Sequence, residues 1–167
     1  MTGGHPNSLG NTVEIVEEVL ADNLLFEELF ACYFSENEVV RLRVSNAMKR
    51  LCKAEKSVLV PYIDSFLNDI SIIDQASTQW TLAQLFLQLQ KEMTPEQIEK
   101  AKTIMKHNLA THHDWIVLCQ TMETLGKWAK KDTTLLEWLL PHLDRLAKDG
   151  RNSVSKKAQK TRKMLVD

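Results

Sequence analysis

The chain has 167 residues, 44% apolar and 26% charged, with a formal net charge of −1. It is long enough to bury one continuous core, and its few glycines (5) and prolines (4) speak against an all-β protein built on many turns. Its apolar runs stop well short of the ~18 residues of a membrane-spanning helix, so no membrane partner is expected.

Residues 1–11 lack the basic and apolar segments of a secretory signal and read as a flexible lead, leaving 12–167 as a single domain. Asn11 can cap a first helix over about 12–20, with Val13, Val16, Val19 and Leu20 on one face. Asp22 starts a second helix to about Phe34, unless the two run together. Ser35 and Glu38 form a capping box for the next. Ser57 opens a helix with Pro61 in its first turn, where a missing N–H does least harm. Asp74 begins another. Thr94-Pro95-Glu96-Gln97 is the sharpest start signal: a Thr cap, proline at the first helical position, and a glutamine to complete the box. Asp114 caps the helix after His112-His113. Asp132, or Thr134 with Glu137, opens the next, in which Pro141 predicts a kink. Gly150 is expected to end that helix in a left-handed conformation, and Ser153 to cap the last.

About nine helices and no strand result, so the expected fold class is all-α. Leading helices near 23–34, 57–70, 95–109 and 133–147 are each followed by a second helix near 37–53, 75–91, 114–130 and 153–165. The loops between them are short, so the two members of a pair must be antiparallel neighbours. The second helices share one pattern, closed by Leu51, Leu89, Trp128 and Leu165, which lie 38, 39 and 37 residues apart. A fixed period near 38 with helical spacing inside it is the signature of a stacked helix-pair solenoid. Here that means about four antiparallel pairs plus an N-terminal helix.

Val40-Arg41 with Ala47-Met48 and Leu51 resembles the second helix of HEAT/armadillo repeats. So do Asp114-Trp115-Ile116-Val117 with Glu123-Thr124-Leu125-Gly126, and Ala158 with Leu165. The resemblance spans roughly residues 22–166, and the third and fourth repeats also resemble small bacterial HEAT-like proteins with no established role. It implies a right-handed α-α superhelix and a binding platform lined by the second helices. Gln79, Leu118 and Ser155 stand where the family carries a ladder of arginines, so adhesion between repeats is expected to rest on apolar packing.

The repeat phase also selects a face. In the last helix Val154, Ala158, Thr161 and Leu165 point inward, which leaves Lys156, Lys160 and Lys163 as an outward stripe. The same phases fall on Leu42, Asn46 and Lys49 in the first pair, Trp80, Gln84 and Leu87 in the second, and Cys119, Glu123 and Gly126 in the third. If the second helices share one orientation, these residues line one surface, apolar around Trp80 and basic at the far end. Such a patch is a candidate partner-binding site, unless a one-position phase error buries Trp80.

Charge follows the same gradient. Residues 1–90 carry 6 Lys/Arg against 12 Asp/Glu, and residues 91–167 carry 15 against 10. The basic C-terminal segment is either the polar face of a terminal repeat or a contact for phosphate or an acidic protein. Cys32, Cys52 and Cys119 form no Cys-x-x-Cys pair and read as reduced thiols of a cytoplasmic protein. The cluster His107, His112, His113 and Asp114 lacks metal-ligand spacing. No nucleophile elbow or phosphate loop is present. No catalytic residue, metal or cofactor is therefore expected. The expected function is a non-enzymatic scaffold for a protein partner. The alternative is a nucleic-acid-binding protein, resembling HEAT-like alkylpurine DNA glycosylases, with Asp114, Trp115 and Trp80 as its site; that family's Trp-Trp-Asp motif is missing.

Overall fold

The computed structural model describes residues 8–166, and among them every regular element is helical. The α-helices are α1 (Thr12–Ala21), α2 (Phe26–Ala31), α3 (Glu38–Ala54), α4 (Ile63–Ser65), α5 (Ala76–Leu89), α6 (Pro95–Thr111), α7 (Trp115–Ala129), α8 (Thr133–Leu146) and α9 (Asn152–Val166). Residues 1–7 of the expected flexible lead lie outside the described residues. Ser8 folds back onto α3, where its carbonyl and hydroxyl accept from the Arg43 guanidinium at 3.2 and 3.3 Å.

Helices α3, α5, α7 and α9 pack each against the next, and α1 continues the row on the other side of α3. The leading helices fill in against this row: the turn after α2 on α3, α6 on α5 and α7, α8 on α7 and α9. The inward phase read from sequence is the buried one. Val44, Ala47, Leu51, Leu85, Leu125 and Ala158 are fully buried. Leu89 and Trp128 close their patterns in the core, whereas Leu165, with no described helix beyond α9, is half-buried.

Several helix starts follow the expected chemistry. The Thr94 capping box is complete, with Thr94 Oγ accepting from Gln97 N and the Gln97 side chain from Thr94 N. Asp114 Oδ1 takes the N–H groups of Ile116 and Val117. Asp132, rather than Thr134, caps α8 by accepting from Leu135 N. Helix α8 runs on through Pro141, which faces solvent.

Others differ. Asn37, not Ser35, caps α3, because its side chain reaches Val39 N while Ser35 Oγ is engaged by Asn37 N. Asn11 makes no side-chain cap on α1, and Val13 and Leu20 are exposed, so α1 buries only a narrow Val16–Val19 stripe with Thr12. Asp74 does not cap α5. Gln75 occupies that position, and its side chain instead joins Glu38 O, Ser77 Oγ and Arg41 Nε. Gly150 is not left-handed; among the described residues Gly10 alone has a positive φ, +53°. Asp149 makes the turn instead, its carboxylate accepting from Arg151 N at 2.8 Å. Helix α9 then begins at Asn152, one residue before the expected Ser153 cap.

The helix expected over 57–70 is the least regular. It is split into 3-10 turns at Lys56–Val58 and Val60–Tyr62, then α4, then a π-helical stretch Phe66–Ile70 closed by Ser71 N on Phe66 O. Pro61 removes one N–H from the ladder. Phe66, Leu67 and Ile70 of this stretch are all buried. There Phe66 meets Phe30 edge-on at 5.3 Å, within a ring cluster that includes Phe26 and Tyr62.

Polar links supplement the apolar packing between successive pairs, which the expectation of purely apolar adhesion did not include. Thr124 Oγ donates to Ala83 O at 2.7 Å, Arg145 to Leu109 O at 2.9 Å, and Lys102 pairs with Asp132 at 2.5 Å. They join residues 41, 36 and 30 positions apart, linking one helix pair to the next.

Candidate functional site

The outward phases come out on the exposed flank of the helix row. Lys156, Lys160 and Lys163 of α9 are exposed, and Leu42, Asn46, Lys49, Trp80, Gln84 and Leu87 are half-buried. Leu87 leans on the core, whereas Trp80 and Leu42 stand outside that packing. Asn46 folds its amide back onto Leu42 O, one helical turn away. Burial, and then the charge of Arg50, hold the Lys49 ammonium below its usual pKa.

The third-pair positions are turned towards α9. Glu123 is gripped by Lys127 of its own helix at 2.6 Å and by Lys157 of α9. Hydrogen bonds from these two ammonium groups lower its pKa from 4.5 to about 2. Cys119 Sγ donates to Ser153 O at 3.6 Å, and burial pushes its thiol up. Gly126 is buried, because α9 packs directly on its Cα, so it offers nothing to a partner.

Further exposed cations stand at the C-terminal ends of the second helices. Arg50 and Lys53 end α3, Lys91 follows α5, and Lys130 follows α7; all are exposed. With Lys156 and Lys160, these six make no ion pair among the described residues. The signal in sequence was the recurrence of a lysine two residues past Leu51, Leu89 and Trp128, at Lys53, Lys91 and Lys130. Cations there suit the helix dipole, which hides their alignment across helices. Glu123 is held by two lysines and Glu92 by Lys56 at 3.5 Å, whereas the exposed Glu17 of α1 lines the same hollow as Arg50 and Lys53 and makes no ion pair among the described residues.

Asp114 and Trp115, the pair a glycosylase-type reading would need, sit at the N-terminus of α7. Asp114 caps the helix through Oδ1, and Trp115 is 48% exposed. No hydrogen bond or ring contact links either to Trp80. Among the described residues no three His, Cys, Asp or Glu side chains converge as a metal site would require, and no helix is long and apolar enough to cross a membrane. Comparison with protein-family models and with curated proteins finds no match for the chain.

Proposed function

We propose that the chain is a HEAT-type right-handed superhelix acting as a non-enzymatic scaffold. Its partner is an acidic protein segment laid across the open flank of α3, α5, α7 and α9. The observation that carries this reading is the set of six exposed cations without an ion pair among the described residues, borne by or next to the same helices that carry the half-buried Trp80 and Leu42. Unpaired surface cations steer an acidic partner and fix its register, while affinity comes from a few desolvated anchors. Trp80 and Leu42 are those anchors, at the end of the flank where charge is sparse.

The same cations favour a second reading, a nucleic-acid backbone. A phosphate contact would make affinity fall steeply with salt, with a log–log slope near −0.9 for each phosphate neutralised on duplex DNA. Affinity purification of the full chain from its host, followed by mass spectrometry, tests the first reading. An acidic protein that is captured by the wild type and lost with Trp80→Ala supports it. Duplex binding with a steep salt slope and no Trp80 dependence replaces it with the second.

A further inference from the structure

A cleft of about 590 Å³ opens where the loop before α5 meets the end of α6 and the loop before α7. Its volume is that of an ordinary small-ligand site. The floor is an amide pair, Gln79 of α5 and Asn108 of α6, only 6% and 7% exposed.

The orientation of that pair is forced. Gln79 Nε2 lies 2.9 Å from Ser71 O and 2.8 Å from Ile73 O. Two carbonyls can only accept, so the nitrogen of Gln79 must face them. Its oxygen therefore faces Asn108, and Asn108 must present its nitrogen, 2.8 Å away. The Asn108 oxygen is left free of that pair, on a residue that lines the cleft. It accepts no hydrogen bond among the described residues, yet it is not sealed from the cleft as the fully buried unpaired atoms of this protein are. An acceptor open to the cleft but without a protein donor can take one from a ligand.

The walls ask for the same kind of group. Asp74 and Asp114 add carboxylates, and only Oδ1 of Asp114 is used for capping. No lysine or arginine lines the cleft. The arginines nearby are committed to backbone carbonyls, Arg145 to Leu109 O and Arg151 to His113 O. Ile72, 79% exposed on the rim, offers an apolar wall for an aliphatic stem. His112 and His113 offer flat rings on which a planar cation stacks.

We propose that this cleft binds a guanidinium group carried on an aliphatic chain, with Asn108 Oδ1 and the Asp74 carboxylate as its acceptors. Both an arginine side chain of another protein and a free alkylguanidine present this chemistry. The test is an amide-proton NMR titration of the full chain with N-acetyl-arginine methylamide, agmatine and N-acetyl-norleucine methylamide. The proposal expects saturable shifts of the Asn108 side-chain amide and of Ile72 with the first or second probe and none with the third. Asp74→Asn, an exposed substitution that leaves the fold intact, should weaken binding about tenfold, the worth of one charge-assisted hydrogen bond. Binding of the blocked arginine alone assigns the site to protein arginines, and of agmatine alone to a free guanidine. Absence of saturable shifts at about 10 mM probe, well past a millimolar Kd, overturns the proposal. So does equal binding of the norleucine probe, or an affinity unmoved by Asp74→Asn.

Discussion

Gly126 of α7 and Thr161 of α9 touch backbone to side chain: a methyl group on Gly126 would lie 2.5 Å from Thr161 Cγ2. A glycine inside a helix ordinarily costs about 1 kcal/mol relative to alanine. Here it permits a close approach between neighbouring second helices. Gly126→Ala should therefore lose about 1–3 kcal/mol through overpacking. Thr161→Ser removes the clashing methyl and should restore most of that loss in the double variant. Urea unfolding midpoints decide it; a Gly126→Ala protein as stable as wild type would mean the helices slide apart at no cost.

Buried threonines of the row should respond in opposite directions. Thr124 donates to Ala83 O, so Thr124→Val should cost about 1 kcal/mol. Thr78 and Thr121 are also fully buried, but their hydroxyls have no partner among the described residues. Thr78→Val and Thr121→Val keep the shape and remove an unsatisfied polar group, so each should be neutral or stabilising by up to ~1 kcal/mol. Thermal melts of the three variants give the order. Equal destabilisation by all three would show that the hydroxyls of Thr78 and Thr121 are satisfied after all.

The repeat phase was legible because its causes are local. Apolar residues at helical spacing, closing at Leu51, Leu89 and Trp128, can be buried in only one orientation, and that orientation left Lys156 and Lys160 outside. The Gln79–Asn108 pair was not legible. Gln79 read only as a missing arginine, and its partner lies 29 residues away on a leading helix, outside the pattern of the second helices. The broken helix around Pro61 escaped for a similar reason. Its π turn at Phe66–Ile70 has no counterpart in the apolar spacing within 57–70. The burial of Gly126 depends on the distance between α7 and α9, which a period does not contain.

Glu123 should make stability depend on acid. Its folded pKa is about 2 against an ordinary 4.5, held down by hydrogen bonds from Lys127 and Lys157. A depressed carboxyl contributes stability that is present above the unfolded pKa and lost as pH falls through the folded one. The advantage of wild type over Glu123→Gln should be full above about pH 4.5 and should vanish by about pH 2. Because the side chain is 34% exposed, solvent screening keeps that advantage near ~0.5–1 kcal/mol, and salt should reduce it. Denaturation of both proteins across that range measures the difference; a gap that persists unchanged at pH 2 would assign the effect to packing rather than charge.

The four tryptophans test the flank itself. Trp115 is 48% exposed, Trp80 and Trp138 are half-buried, and Trp128 is 4% exposed. In proteins retaining one tryptophan each, acrylamide quenching should fall in that order. Trp80 then becomes the reporter for binding, because it stands at the anchor end of the proposed surface. Addition of an acidic peptide with an aromatic or leucine residue should shift the Trp80 emission to the blue and protect it from quencher, leaving Trp115 unchanged. Reversing Lys53, Lys130 and Lys160 to glutamate should slow association and flatten the salt dependence, since exposed charges act mainly on encounter. Trp80→Ala should instead raise the dissociation rate, costing about 2 kcal/mol or more if the ring is a desolvated hot spot. Charge reversal that leaves the salt dependence intact would place the partner elsewhere on the molecule.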